Sequence, residues 1–232
     1  MYSAKGRALR SLLAHRGQVL LGLDPQGRAD LDVIRHTRAA APLLMQDAAA
    51  LMIQAWVRSA LKLGGELAEA GVFMGGSARL ICEAKGQAPL HLFDVFETLQ
   101  DLSPHRCEEQ AVLDHFGSTH ARLEQVRSLL SPYPQVHFYP GLLSGMAGHV
   151  ADRQFCFVHH DLDLGQATAE ALAFFYPRLL RGGVMIGDDY NLAPVQEAFA
   201  GFFAGRRDVV TLLPWGQVVV VKAQGPEPSS RL

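Results

Sequence analysis

An alternation of short apolar runs, each closed by an acid or a glycine, with stretches of helical spacing limits what this chain can fold into. The runs around Leu67, Ala68 and Val72 and at 90–93, 136–139, 155–160 and 184–187 have the length and composition of buried strands. Among them, 47–63, 77–85, 118–130, 167–180 and a segment starting near Pro194 and ending about Phe203 read as helices. The β-rich runs 208–213 and 217–222 are joined by Pro214, Trp215 and Gly216, a link that only an antiparallel hairpin can use. The expected fold is α/β, a doubly wound, mostly parallel sheet with a C-terminal antiparallel hairpin strand.

Local signals fix expected boundaries. Asp47 is the expected cap of 47–63, whose apolar face includes Leu51, Ala55, Trp56 and Leu63, and Gly64 and Gly65 are its stop. Gly182 and Gly183 are expected to stop 167–180, with Thr168, Leu172, Phe175 and Leu179 on one face. Residues 95–117 read as loop with a short helix, and 19–23 with Asp24, Pro25, Gln26 and Gly27 as a small element ending in a turn. The expected organisation is an N-terminal helical or lid segment (1–62), a ligand-binding domain (63–223) and a disordered tail (224–232).

The chemistry concentrates where strands end. The stretch 69–77, E-A-G-V-F-M-G-G-S, reads as a strand entering a glycine turn that opens a helix, with Gly71, Gly75 and Gly76 turning the backbone and Ser77 at the expected N-cap. First-turn N–H groups favour a carboxylate or phosphate, whereas Glu69 repels phosphate and accepts hydrogen bonds from an ammonium or a hydroxyl. That balance suits an amino-acid-bearing nucleoside. The dinucleotide fingerprint G-x-G-x-x-G is absent, the glycines being spaced G-x-x-x-G-G. Asp94 closes the second strand and is placed to offer its two acceptors to a ribose diol.

Asp161 and Asp163 follow the fourth strand, and Asp188 and Asp189 the fifth. Acids converging without a counter-cation repel one another, and a divalent ion resolves that conflict. All-oxygen ligation by Asp161, Asp188 and Asp189 suits Mg²⁺, whereas a ligand at His159 or His160 would shift the choice toward Mn²⁺ or another transition metal.

Composition bounds the partners. With 49% hydrophobic residues, 19% charged residues and a net charge of −2, the chain has the balance of a soluble globular protein and no Lys/Arg cluster for nucleic acid or an anionic membrane. Cys82, Cys107 and Cys156 are an odd set at irregular spacing, which points to reduced thiols and a cytoplasmic setting. No apolar run has the length of a signal peptide core or a membrane span.

The motifs E-A-G-V-F-M-G-G-S-A, L-F-D-V-F-E, F-V-H-H-D-L-D-L and F-F-Y-P-R-L-L-R-G-G-V-M-I-G-D-D-Y together resemble the macrocin O-methyltransferase family over about residues 63–222. That family belongs to the class I, Rossmann-like, S-adenosylmethionine-dependent methyltransferases. The resemblance implies S-adenosylmethionine at Glu69, Gly71, Gly75, Ser77 and Asp94, Mg²⁺ at Asp161, Asp188 and Asp189, and Asp161 as general base. It also implies a small-molecule hydroxyl acceptor such as a sugar of a natural product, and homo-oligomers, dimers or larger. Phe73 and Met74 stand where the family commonly has tryptophan and a basic residue, and Gly165 and Gln166 where it has tyrosine and an acid. These departures bear on acceptor recognition more than on the cofactor. Two rival readings share the sheet: a binding protein of the same fold whose chemistry has lapsed, and a nicotinamide-dependent oxidoreductase.

Overall fold

The structure is a computed structural model and describes residues 22–96 and 122–223 together with positions 13, 16 and 18. A seven-stranded sheet runs in the order β3-β2-β1-β4-β5-β7-β6. Its strands are β1 (Glu66–Ala70), β2 (Leu90–Asp94), β3 (Val136–Pro140), β4 (Phe155–His160), β5 (Leu179–Gly187), β6 (Val209–Leu212) and β7 (Val218–Val221). The first five pair in parallel, and β7 lies antiparallel between β5 and β6, as the hairpin predicts. Strand order reverses between β1 and β4, so the crevice beyond their C-terminal ends is where such a sheet takes ligands.

Helices cover both faces. The N-terminal helices are α1 (Pro25–Ala40), α2 (Asp47–Ala60) and α3 (Gly76–Lys85). Further on come α4 (Leu123–Leu130), the short α5 (Leu143–Met146), α6 (Gly165–Arg178) and α7 (Ala193–Phe203). One core joins Ile34, Ile53, Val57, Leu80 and Val126 to Leu67, Leu92, Phe157 and Ile186, so α1 to α4 pack on one face of the sheet. The other joins Leu172, Phe175, Val195 and Phe199 to Ala68, Phe93, Val158 and Met185, which is the face of α6 and α7. β4 is buried at all six positions, through its apolar residues 155–158 and on to His159 and His160.

Several boundaries differ from expectation. Asp24-Pro25 starts a helix instead of ending a turn: the Asp24 carboxylate accepts the Gly27 N–H at 2.7 Å, and Pro25 occupies the first turn, where no N–H is needed. Asp47 is the first residue of α2, not its cap, and it pairs with Arg38 at 2.9 Å. The helix ends at Ala60, and a 3₁₀ turn (Leu61–Leu63) carries the chain to Gly64 at φ 76°. Gly182 and Gly183 do not stop a helix. They lie inside β5, where the β4 register jumps from Phe155↔Leu179 to Phe157↔Val184, and Gly182 at φ 78° donates its N–H to Lys222 at 2.8 Å. The expected helix 118–130 is seen from Leu123, and 97–121, with Cys107, lies outside the described residues, as do 19–21 and the tail 224–232. Among the described residues, no helix is long and apolar enough to cross a membrane.

Candidate active site

The turn after β1 is built by close packing. Gly71 donates its N–H to Phe93 at 2.9 Å and Asp161 donates to Ala70 at 2.9 Å, so the hydrogen-bond ladder continues one step past the strands. Gly71 adopts φ +84°, and a Cβ there would run into the Asp161 carbonyl. Gly76 has the chain passing over it, and its Cβ would strike the Pro42 carbonyl and sit 3.1 Å from Leu43 Cα. Arg38 fixes that covering segment through the Leu43 and Met45 carbonyls at 2.5 and 2.6 Å. The helix N-cap is Gly75, at φ 82°, and not Ser77. Ser77 lies inside the first turn, 7% exposed, with its side chain lowering the pKa of Glu69 against the larger rise that burial imposes.

Asp94 locks this turn to β2. Its Oδ2 accepts the Val72 and Phe73 N–H groups at 2.6 and 2.8 Å, and its Oδ1 accepts the Phe96 N–H at 2.7 Å. Burial raises its pKa and these backbone donors pull it back. Val95 is a further backbone donor to this carboxylate, so its sites are taken up largely by the turn it locks.

Across the switch point, Glu69 and His159 are register partners on β1 and β4. Glu69 Oε1 lies 2.8 Å from His159 Nδ1, both side chains fully buried, and His159 Nε2 is 3.4 Å from Asp188 Oδ2. Burial alone would lower the imidazole pKa, but hydrogen bonds and charge from Asp188 and Glu69 outweigh it and raise it well above the ordinary value. His160 points to the other face, stacked on Phe199 at 5.2 Å, and burial pushes it down to about 3.

The acids after β4 and β5 converge as expected, with one difference in membership. Asp161, Asp163 and Asp189 each offer a carboxylate oxygen within 4.8 Å of the others, and Asp188 stands outside that trio beside His159. Burial raises the Asp161 pKa well above the carboxylate range, helped by the Asp188 charge and Asp189. Asp163 rises to about 7, through burial and then Asp189. Two of the three stand on left-handed backbone, Asp163 at φ 57° and Asp189 at φ 56°. Of the five non-glycine residues at positive φ among those described, these two, Phe73 and Phe96 follow the C-terminal ends of β4, β5, β1 and β2. Three clustered carboxylate oxygens fit a hard divalent cation, which would offset the repulsion between them.

Among the described residues, three of the buried side-chain atoms without a hydrogen-bond partner gather here: Glu69 Oε2, His159 Nε2 and Asp188 Oδ1. Sequence reasoning named Glu69, Gly71, Gly75, Ser77, Asp94, Asp161, Asp188 and Asp189, and all lie at the C-terminal ends of β1, β2, β4 and β5. It missed His159 as a bridge, although two carboxylates in reach of one strand histidine would have suggested it. The Gly165 departure has a packing cause: a Cβ there would lie 2.8 Å from Pro194, so the start of α6 sits too close to α7 for a larger side chain.

Residues 50–213, more than half of the chain, match the Macrocin-O-methyltransferase (TylF) family. Over 146 residues the chain is 31% identical to the 8-demethyl-8-(2,3-dimethoxy-alpha-L-rhamnosyl)-tetracenomycin-C 4'-O-methyltransferase of Streptomyces olivaceus, a match covering 58% of this chain and 56% of that protein. The chain thus matches little more than half the length of that curated relative. Among solved structures, its fold is similar to the O-methyltransferase NovP, with a TM-score of 0.65 and 23% identity over 75% of this chain and 79% of that one. It is also similar to an O-methyltransferase from Bacillus cereus in complex with SAH, with a TM-score of 0.53 and 16% identity over 93% and 97% of the two chains. The sheet order, the site at its switch point and the family match agree, and the chain belongs to the macrocin-O-methyltransferase family, with the class I methyltransferase fold.

Proposed function

We propose that this protein transfers a methyl group from S-adenosylmethionine to a hydroxyl of a sugar attached to a natural product, with a divalent cation, Mg²⁺ by preference, assisting. The observation that carries the reading is the meeting of the glycine turn and the acid trio across β1, β4 and β5 in a chain of this family. The relative from Streptomyces olivaceus acts on a rhamnosyl group, which supports a deoxysugar hydroxyl as acceptor. The family match favours this reading over a nicotinamide-dependent oxidoreductase.

In this reading the turn at Gly71 and Gly75 carries the cofactor, Glu69 and Ser77 take its amino-acid end, and Asp94 takes the ribose. Asp161 and Asp189 hold the cation with Asp163, and Asp188 supports the set from the side of His159. A bound cation would lower the proton affinity of an acceptor hydroxyl beside it. Asp161 has two oxygens, and one of them would take the hydroxyl proton; bound S-adenosylmethionine would supply the methyl, exchanging its S–CH₃ bond for O–CH₃ and leaving as S-adenosylhomocysteine. Burial, with the Asp188 charge and Asp189, raises the pKa of Asp161 and so strengthens the ionised carboxylate as a proton acceptor. Orientation of the hydroxyl toward the methyl supplies much of the rate.

The test is transfer of labelled methyl from S-adenosylmethionine to a panel of rhamnosylated polyketides, with Mg²⁺ and with EDTA. Transfer that chelator suppresses is expected. Tight S-adenosylhomocysteine binding with no transfer to any sugar hydroxyl would instead mark a binding protein whose chemistry has lapsed.

A further inference from the structure

Glu69, His159 and Asp188 come from three adjacent strands, on the sheet face packed by α3. Glu69 is the register partner of His159, His159 is the partner of Ile186, and Asp188, two residues further on, faces the same way. One imidazole nitrogen is hydrogen-bonded to Glu69 at 2.8 Å, and the other faces Asp188 Oδ2 at 3.4 Å as an ion-pair contact without hydrogen-bond geometry. The His159 and Glu69 side chains are 0% exposed and that of Asp188 10%, so the ring is screened from bulk solvent. Among the described residues, Glu69 Oε2, Asp188 Oδ1 and His159 Nε2 itself have no hydrogen-bond partner. His160 provides the contrast: equally buried on the opposite face, it stacks on Phe199 and joins no carboxylate pair.

We propose that His159 is a positioning residue that fixes Glu69 and Asp188 relative to each other, so that the cofactor turn and the acid cluster form one rigid unit. The inference rests on the function proposed above. A rigid planar ring sets the spacing between the two carboxylates, and without it two buried acids face each other with nothing between them. The two ends are separable by shape: an asparagine amide falls near the Nδ1 position and keeps a donor for Glu69, whereas a glutamine amide falls near Nε2 and keeps one for Asp188.

The experiment compares His159→Asn and His159→Gln with wild type in three measurements: calorimetric affinity for S-adenosylhomocysteine, Mn²⁺ affinity by electron paramagnetic resonance, and thermal midpoint. The expected pattern is crossed. His159→Asn keeps cofactor-product affinity within about twofold and loses about tenfold in Mn²⁺ affinity, and His159→Gln does the reverse. Parallel losses in both variants, no change in either, or loss of a cooperative melting transition in both would overturn the proposal and leave His159 as a packing residue. Failure of the wild type to bind S-adenosylhomocysteine would instead remove the proposed function, and this inference with it.

Discussion

Replacing Gly71 by alanine separates a turn shaped by its ligand from one shaped by chain packing. A left-handed φ costs alanine about 1 kcal/mol. The added Cβ would also lie 2.7 Å from the Asp161 carbonyl carbon, where carbon atoms prefer about 3.5 Å. The carbonyl oxygen would lie closer still, so the exit of β4 must withdraw by more than about 1 Å, which strains the bonds flanking that point, Gly71 N–H to Phe93 and Asp161 N–H to Ala70, both 2.9 Å. Losing one or both costs about 1 kcal/mol each. The sum is about 2–3 kcal/mol, or roughly 5–10 °C in thermal midpoint for a domain of this size. Gly64 is the control, since it has φ +76° and nothing within 4 Å of a Cβ. Gly64→Ala should cost only the backbone strain, about 1 kcal/mol. Urea unfolding of both variants measures the difference directly. If Gly71→Ala is no less stable than Gly64→Ala, the packing account of the turn is wrong.

Other expectations concern the acids and the thiols. Asp161→Asn and Asp188→Asn should each abolish methyl transfer while S-adenosylhomocysteine affinity stays within about twofold; full activity of either variant under excess chelator would refute the metal-assisted scheme. Asp163, raised to about 7, holds a proton in the native state where the unfolded chain has released it. Its contribution to stability is therefore present at low pH and lost as pH rises from about 4 to about 7. In EDTA, Asp163→Asn should gain stability relative to wild type across that window, and a difference that does not change between pH 5 and pH 8 would refute this. Cys82 and Cys156 are buried with thiols pushed up to about 12 and about 11, so neither should react with a disulfide reagent at pH 8 until the protein unfolds.

Much of the scaffold was legible because burial leaves a plain trace. The runs 155–158 in β4 and 184–187 in β5 are apolar and buried because both faces are covered there, and the acids that follow these strands stand out against them. The hairpin link of Pro214, Trp215 and Gly216 allowed one pairing. α1 was hidden by its composition: Asp30, Ile34 and Thr37 are its buried residues, so its apolar stripe is faint, and the Asp-Pro start was read as a turn. Its bidentate link from Asp30 to Arg58 on α2 depends on tertiary placement. Gly182 and Gly183 looked like a helix stop because a glycine pair marks a change of direction equally well inside a bulged strand. The role of His159 required knowing that β1 and β4 are neighbours and in which register, which a single strand's pattern does not carry. The split of the acids into a trio and Asp188 likewise depends on the left-handed backbone at Asp163 and Asp189.

Calorimetric titration of S-adenosylhomocysteine into the purified protein, with Mg²⁺ and again with EDTA, tests the central claim most directly. The account predicts micromolar binding of similar strength in both buffers, because in the proposed reading the ligand is held by Glu69, Ser77, Asp94 and the glycine turn, none of which belongs to the acid trio. No binding in either buffer would contradict it and leave the turn as architecture alone.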